Sequence, residues 1–120
     1  MIEEVTPKKS LGQNFLKNQI TINLIDDILD IKEHDNVIEI GPGTGAITDK
    51  ILSKTKNYIG IEKDRKLSEK LLKKYKSEAR ILNQDILDSD FSKLFDENIR
   101  LVGNIPVSYT HLTLPTIFRV

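Results

Sequence analysis

The feature that most constrains the fold is the regular alternation of short β-branched runs with amphipathic helical segments. Four runs read as buried strands, namely NVIEI, NYIGI, ARILN and IRLVGN, with strands expected near residues 36–40, 57–61, 79–83 and 100–103. Helical patterns, AITDKILSK and RKLSEKLLKKYK, separate the first three runs. Such alternation predicts βαβ units and a three-layer α/β fold around a parallel sheet.

A further amphipathic helix is predicted before the first strand, in NQITINLIDDILDI. Its apolar residues recur at helical spacing, and its acidic residues Asp26, Asp27 and Asp30 lie on the other face. The apolar set is Ile20, Leu24, Ile25, Ile28, Leu29 and Ile31. In RKLSEKLLKKYK the corresponding side carries Leu67, Leu71, Leu72 and Tyr75.

Composition excludes several classes of protein. A chain of 120 residues suffices for one domain. Its 18 Lys and Arg balance 18 Asp and Glu, so no global field attracts nucleic acid or membrane. With no cysteine and two histidines we expect neither disulfides nor a metal site. There is no apolar run of about 20 residues and MIEEVTPKKS is not a signal peptide, so we expect a cytoplasmic protein.

Each predicted strand ends in a polar or glycine-rich element, and ligands of parallel sheets bind outside these carboxyl ends. EIGPGTG, with Gly41, Gly43 and Gly45, allows positive φ and close approach of a ligand, although a tight turn alone would also explain it. The spacing GxGxG differs from the dinucleotide pattern, and Pro42 removes one amide donor.

Acidic and amide side chains at the next three strand ends complete a predicted pocket for an adenosine-containing ligand. Glu62, 21 residues after Gly41, suits both hydroxyls of a ribose. Asp85 suits an adenine amino group, with Ile86 over the ring, or else caps the following turn. Asn104, in GNIP, offers an acceptor for an amino group, or belongs to an ordinary Asn turn.

The motifs KKSLGQNFL, VIEIGPGTGAIT, IEKD, NQDIL and GNIP together resemble the ribosomal RNA adenine N6,N6-dimethyltransferases from about residue 7 to residue 106. The resemblance is to the KsgA/RsmA type and, more broadly, to the Erm type. It implies a Rossmann-like fold with strands in the order 3-2-1-4 that binds S-adenosylmethionine. It also implies methylation of adjacent adenines in ribosomal RNA, of the small subunit for the KsgA/RsmA type, by a monomer that needs no membrane or metal.

The resemblance also implies roles for individual residues. Gln13 and Phe15 lie in the N-terminal motif, and Glu39 lies under the methionine end of the cofactor. Asn104 and the carbonyl of Ile105, in a loop stiffened by Pro106, would hold the reacting adenine amino group. The implied cofactor contacts are Asn14, Leu16, Gly41, Glu62, Asp85 and Asn104.

The chain departs from the family after Pro106. An aromatic residue that stacks on the target base is expected at position 107, where Val107 stands. PVSYTHLTLPT matches the translation of a common transposon-library sequencing adaptor. We therefore expect residues 1–106 to be the N-terminal part of a catalytic domain and residues 107–120 to be a non-native tail. An exposed edge at the fourth strand and an inactive chain would follow.

Three other functions remain open at this point. An Erm-type enzyme acting on large-subunit RNA shares NQDIL and GNIP. An NAD-dependent oxidoreductase is disfavoured by the glycine spacing. A non-enzymatic RNA- or DNA-binding relative is disfavoured because Glu62, Asp85 and Asn104 are present. The basic stretches Lys8–Lys9 and KDRK (63–66) could contact RNA phosphates, or simply be solvated.

Overall fold

A six-stranded, fully parallel sheet forms the centre of the molecule. The computed structural model describes residues 18–90, 93–95 and 98–103, and the backbone of residues 2–4 and 116–119. The strands lie in the spatial order β1-β6-β5-β2-β3-β4. Their bounds are β1 Ile2–Glu4, β2 Asn36–Ile40, β3 Tyr58–Ile61, β4 Arg80–Leu82, β5 Ile99–Gly103 and β6 Thr116–Arg119.

The four strands predicted from the sequence are confirmed as β2, β3, β4 and β5. Each observed boundary lies within one residue of the expected one. Counted along the chain, these four strands lie in the order 3-2-1-4 and pair in parallel. This is the expected Rossmann-like arrangement, in which β2 lies at the centre because its short β-branched run is buried on both faces.

The prediction that β5 has an open edge is wrong. The backbone of β6 pairs in parallel along β5, with Leu101 opposite Ile117, and β1 pairs with the far side of β6. Strand pairing uses the backbone N–H and C=O groups, so a segment outside the predicted catalytic part can still pair with the edge of β5.

Three α-helices cover one face of the sheet: α1 Gln19–Leu29, α2 Ala46–Leu52 and α3 Arg65–Tyr75. Short 3₁₀ helices follow at Lys76–Glu78 and Ile86–Asp88. All three α-helices supply side chains to one apolar cluster with Val37 and Val102 of the sheet. The second cluster lies on the other face and includes Ile86, Leu94 and Phe95 from the β4–β5 connection. The described ranges therefore contain α-helices on one face alone, whereas a three-layer arrangement was predicted.

The predicted apolar face of α1 is only partly correct. Ile25 and Leu29 are buried, and Ile22 is buried beside them. Ile20, Leu24 and Ile28 are instead exposed, Ile20 by 80 %. The apolar residues of α1 occupy two adjacent stripes, and the helix turns just one of them towards the core. Periodicity in the sequence therefore identified the helix and could not choose between the stripes.

The register of the sheet brings the strand ends together at one edge. Ile40 of β2 is opposite Ile61 of β3 and Gly103 of β5, and Ile61 is opposite Leu82 of β4. Because all these strands run in the same direction, the segments that follow them leave the sheet side by side. We call this side the carboxyl edge.

Candidate functional site

The turn after β2, residues 41–45, has an open side and a packed side. Gly41 and Gly43 have φ values of +66° and +62°, a region that side chains disfavour. A Cβ at Gly41 would meet no atom within 4 Å, and one at Gly43 would meet only a backbone oxygen at 3.9 Å. A Cβ at Gly45, in contrast, would collide with the hydroxyl of Tyr75. We call residues 41–45 the glycine turn; its first half forms a cradle that a side chain would fill.

Glu62 follows β3 and is fixed by the backbone on both sides of it. Its side chain is buried, with 6 % of the residue exposed. Oε1 accepts from the backbone N–H of Gly43 at 3.4 Å, and Oε2 accepts from the N–H of Asp64 at 3.0 Å. Glu62 therefore links the glycine turn to the start of α3, and its carboxylate has a defined position at the carboxyl edge.

Asp85 follows β4 and is held differently. Its Oδ1 accepts from the N–H of Leu87 at 3.0 Å, so it caps the 3₁₀ helix as one of the two sequence interpretations expected. Its Oδ2 lies 3.3 Å from Nζ of Lys63. The Leu87 N–H first, and then Lys63, hold the pKa of Asp85 below its usual value. Ile86, predicted to cover an adenine ring, is buried in the core, and Leu87 is the exposed apolar side chain here.

Asn83 joins the loops that carry these two carboxylates. Its Nδ2 donates to the carbonyl of Glu62 at 2.9 Å and to the carbonyl of Lys63 at 3.1 Å. The β3 loop and the β4 loop are thereby tied together, which fixes Glu62 relative to Asp85. We did not predict this role from the sequence, since an Asn at a strand end is an ordinary turn residue.

Glu39 lies in β2, on the face that carries the α-helices. It is 4 % exposed, and one oxygen, Oε1, accepts from the hydroxyls of Thr48 and Tyr58, the latter at 2.7 Å. Its Oε2 accepts no hydrogen bond within the described residues. Burial raises the pKa of Glu39 to about 7, although the two hydroxyl hydrogen bonds oppose the rise. Burial, and then Glu39, raise the pKa of Tyr58 well above its ordinary value.

Gly60 makes room for this arrangement. A Cβ at Gly60 would lie 2.8 Å from the hydroxyl of Tyr58 and 3.1 Å from Cγ of Pro42. Glycine here lets the Tyr58 ring extend along β3 to reach Glu39, and lets Pro42 close over the strand. Our sequence reasoning missed Gly60; a glycine inside a strand, which often marks close approach of other atoms, was the available signal.

The end of α3 holds the second half of the glycine turn. The hydroxyl of Tyr75 lies 2.6 Å from Oδ1 of Asp49 and 3.0 Å from the carbonyl of Gly45. Nζ of Lys74 donates to the carbonyl of Thr44 at 3.2 Å. Burial, followed by Asp49, raises the pKa of Tyr75 above its ordinary value. These contacts stabilise the packed side of the turn and leave its open side free.

The structure places three of the predicted site residues, Gly41, Glu62 and Asp85, at the carboxyl edge. The distances above connect Glu62 to the glycine turn and, through Asn83 and Lys63, to the loop of Asp85. The other predicted residues lie outside the described ranges, as do Gln13 and Phe15. They are Asn14, Leu16, Asn104, Ile105 and Pro106.

An open groove of about 510 Å³ lies elsewhere, lined by Glu33 and by residues 52–56 between α2 and β3. Two of its polar side chains, Lys54 and Thr55, already have partners within the protein. Lys54 pairs with Asp26 at 2.9 Å, and the hydroxyl of Thr55 lies 2.9 Å from the carbonyls of both Glu33 and Asp35. The carboxyl edge is therefore the stronger candidate for a binding site.

The described ranges lack two further features. No group of three or more His, Cys, Asp and Glu side chains there has a geometry that could hold a metal ion. In the same ranges no helix combines the length and apolarity needed to span a membrane.

Comparisons with known proteins agree with this geometry. The chain is 42 % identical over 118 residues to the ribosomal RNA small subunit methyltransferase A of Prosthecochloris aestuarii, covering 98 % of this chain and 44 % of that protein. The solved structure of the 23S rRNA methyltransferase ErmE is 26 % identical with a TM-score of 0.68, over 83 % of this chain and 43 % of that one. A SAM-dependent O-methyltransferase from Thermotoga maritima, 24 % identical over 78 % of this chain and 37 % of its own, shares the fold with a TM-score of 0.54.

The chain thus spans less than half the length of the curated relative above. The family model for ribosomal RNA adenine dimethylases matches residues 5–120, nearly the whole sequence. A match of this extent, together with the 3-2-1-4 sheet and the glycine turn, shows that the chain belongs to the ribosomal RNA adenine dimethylase family.

Proposed function

We propose that the carboxyl edge binds S-adenosylmethionine. The fold is that of S-adenosylmethionine-dependent methyltransferases, and the open cradle at Gly41 suits close approach of a ligand to the backbone. In this proposal Glu62 accepts from the ribose hydroxyls and Asp85 from the adenine amino group. Each carboxylate oxygen has more than one lone-pair site, so the observed backbone contacts leave acceptor capacity for a ligand. Asn14, Leu16 and Asn104 are proposed as further contacts from the family resemblance.

Glu39 fits the methionine end of the same ligand. Glu39 is 4 % exposed, and its Oε2 atom accepts no hydrogen bond from the described residues. A buried acceptor of this kind is costly unless a donor arrives. An ammonium group near the glycine turn would supply that donor and would favour the ionised form of Glu39.

We further propose that the whole protein dimethylates N6 of adjacent adenines in small-subunit ribosomal RNA. The bound cofactor would supply an electrophilic methyl group. Asn104 and the carbonyl of Ile105 would accept from the two amino hydrogens and hold the nitrogen in line with that methyl, with Pro106 limiting movement of the loop. Since the adenine is normally stacked, it must leave the stack to reach this loop.

The observation that carries the cofactor proposal is the convergence of the glycine turn, Glu62 and Asp85 at one edge of the sheet. Isothermal titration with S-adenosylmethionine tests it. We expect measurable binding by the parent chain and weaker binding by Glu62→Ala. Glu69→Ala is the matched control, because Glu69 is exposed on α3 and pairs with Arg65. Equal affinity of all three proteins would refute the assignment of Glu62.

An Erm-type enzyme acting on large-subunit RNA is the second candidate function, and the structural similarity to ErmE favours it. The name and the identity of the Prosthecochloris relative favour the small subunit. Label transfer from cofactor to purified small and large ribosomal subunits, using a chain extended by a native C-terminal part, separates the two. Transfer to the large subunit alone would exclude the small-subunit proposal.

We also propose that residues 1–106 are the native part of this chain, that residues 107–120 are a non-native tail, and that the 120-residue chain does not methylate RNA. The adaptor-like sequence and Val107 support this proposal. We propose a cytoplasmic monomer as well. The purified 120-residue chain, incubated with unmethylated small subunits and labelled cofactor, should transfer no label. Transfer above a no-protein control would show that the tail is functional.

A further inference from the structure

The helix α3, which begins at the carboxyl edge, and its flanks form a strongly basic segment. Between residues 63 and 76 there are seven Lys and Arg against two Asp and Glu, although the chain as a whole is neutral. Residues 26–35, at the end of α1 and beyond, contain five Asp and Glu and one Lys. The chain therefore has a basic segment (63–76) and an acidic segment (26–35), although its net charge is zero.

Three lysines of this region form one row. Lys66, Lys70 and Lys73 recur at i, i+4 and i+7, which places them on a single helix face. That face is opposite the buried residues Leu71 and Tyr75. All three lysines are exposed and make no ion pair within the described part of the chain. We call Lys66, Lys70 and Lys73 the lysine row.

The stability of α3 accounts for only one member of the lysine row: Lys73 lies in the last turn, where positive charge complements the helix macrodipole. Positive charge in the first turn opposes the helix macrodipole, and α3 has Arg65 and Lys66 there with no acidic residue among its first-turn positions. Lys66 and Lys70, and then Lys70 and Lys73, also place like charges one turn apart, which is unfavourable. Lys66 and Lys70 do not stabilise the helix, so we expect the row to serve an external partner.

The row is continuous with the candidate site. Its helix begins at Arg65, and the preceding residue Asp64, two residues after Glu62, caps α3 by accepting from the N–H of Leu67 at 3.0 Å. Lys63, just before this cap, pairs with Asp85 at 3.3 Å. A polyanion lying along the lysine row would therefore pass the loops that carry both carboxylates.

We propose that the lysine row binds the phosphate backbone of the RNA substrate; this inference rests on the proposed function. Lysines spaced by one helical turn, without carboxylate partners, can each neutralise a phosphate and release counterions. Such contacts orient RNA and do not read its sequence. A membrane surface fits less well, because Leu72 is the exposed large apolar residue of α3 in the described structure, which is too little for an interfacial helix.

The test compares RNA binding by three proteins at several salt concentrations. They are the parent 120-residue chain, the triple variant Lys66→Gln/Lys70→Gln/Lys73→Gln, and the control Lys50→Gln/Lys56→Gln/Lys93→Gln, which removes three charges elsewhere. Fluorescence anisotropy with a labelled RNA hairpin gives the affinity. Calorimetry with S-adenosylmethionine is run on the same samples.

We expect the lysine-row variant to bind RNA about tenfold or more weakly than the parent at low salt. The slope of log affinity against log salt should fall by about 2, since each lost phosphate contact contributes about 0.7–0.9. The control should keep the parent slope. Equal slopes for parent and lysine-row variant would overturn the inference, as would no RNA binding by the parent or an equal loss in the control. Cofactor binding separates the two proposals: RNA binding through the row without cofactor binding would refute the proposed function alone.

Discussion

Glu62 and Asp85 end neighbouring strands at the same edge of the sheet, yet the protein holds them in different ways. Glu62 is buried and accepts from backbone N–H groups on two separate segments, the glycine turn and the start of α3. Asp85 has a quarter of its side chain exposed and contacts its own 3₁₀ turn and the flexible side chain of Lys63. Glu62 therefore joins two segments of the candidate site, whereas Asp85 mainly caps the short helix that follows it.

This difference shows that two acidic residues at equivalent positions in the sequence pattern, each at the end of a strand, can contribute unequally to the stability of the fold. Removing Glu62 leaves two backbone donors without their acceptor and releases the glycine turn from α3. Removing Asp85 leaves one donor beside solvent, where water can replace the carboxylate. The two positions should consequently respond differently to mutation, both in stability and in cofactor binding.

The largest effect is expected for Glu62→Ala. Loss of charge-assisted hydrogen bonds, each worth about 1.5–3 kcal/mol, should weaken S-adenosylmethionine binding by about 100-fold or more. The free energy of unfolding should also fall by about 1–3 kcal/mol, because the N–H groups of Gly43 and Asp64 lose their acceptor. Calorimetry and urea denaturation measure the two quantities. A smaller loss than that of Asp85→Ala would reverse the comparison.

Glu39 extends the comparison to a buried carboxyl whose hydrogen bonds, among the described residues, come from two hydroxyls and from no backbone N–H. Because its pKa is raised from 4.5 to about 7 in the folded protein, the unfolded chain loses the proton first as pH rises. The contribution of Glu39 to the free energy of unfolding is therefore greatest below pH 4.5. It declines as the pH rises through about 7, by at most about 3 kcal/mol.

The variant Glu39→Gln tests this pH dependence. Without an ionisable group at position 39, the decline between pH 4.5 and about 7 should largely disappear. The low pKa of Asp85 acts in the opposite direction and below this window, so it does not mask the effect. Urea denaturation across the window measures it, with Glu69→Gln as the control. A decline of equal size in parent and Glu39→Gln would contradict the assigned cause.

Much of this architecture was predictable because it depends on local patterns. The β-branched runs specified four strands, and the rule that ligands bind at the carboxyl ends of parallel strands predicted that Gly41, Glu62 and Asp85 share one edge. Parallel strands bring together residues that are far apart in sequence. The alternation of strand and helix patterns therefore predicts which distant residues lie at the same edge of the sheet.

The remaining features depend on packing, which a sequence pattern does not contain. The choice between the two apolar stripes of α1 depends on what the helix meets, and Ile22 rather than Ile20 proved buried. The role of Gly60 depends on the path of the Tyr58 ring, which crosses to a neighbouring strand. The pairing of β6 with β5 joins two segments of the backbone, and our sequence reasoning, which assigned residues 107–120 to a tail, did not predict it.

The two halves of the glycine turn are expected to have different roles. The open half, at Gly41, would contact the ligand, and the packed half, at Gly45, supports the fold. Gly45→Ala should lower the free energy of unfolding by about 1–3 kcal/mol, because its Cβ collides with Tyr75. Gly41→Ala should cost only about 1 kcal/mol for its positive φ, yet weaken cofactor binding more than its stability loss suggests. Thermal denaturation of both variants measures the loss of stability, and calorimetry measures their affinity for the cofactor. Unchanged cofactor affinity in Gly41→Ala would show that the cradle holds no ligand.

The smallest effect is expected for Asp85→Asn. The amide oxygen can still accept from Leu87, so the cap should survive and the free energy of unfolding should change by less than about 0.5 kcal/mol. Loss of the negative charge should weaken cofactor binding only a few-fold. Asp85→Ala, which removes the cap as well, is the companion variant. A loss in Asp85→Asn as large as that in Glu62→Ala would remove the distinction between the two carboxylates.

The most direct test of the cofactor site is a titration of the isotope-labelled parent chain with S-adenosylmethionine, followed through its backbone amide resonances. The carboxyl edge should respond, with the largest shifts at Gly41, Gly43 and Glu62 and smaller ones at Asp85. Residues 52–56, which line the groove elsewhere on the molecule, serve as the internal control and should remain unchanged. Saturable shifts confined to the carboxyl edge are the predicted result; shifts centred on residues 52–56, or none at all, would contradict the site.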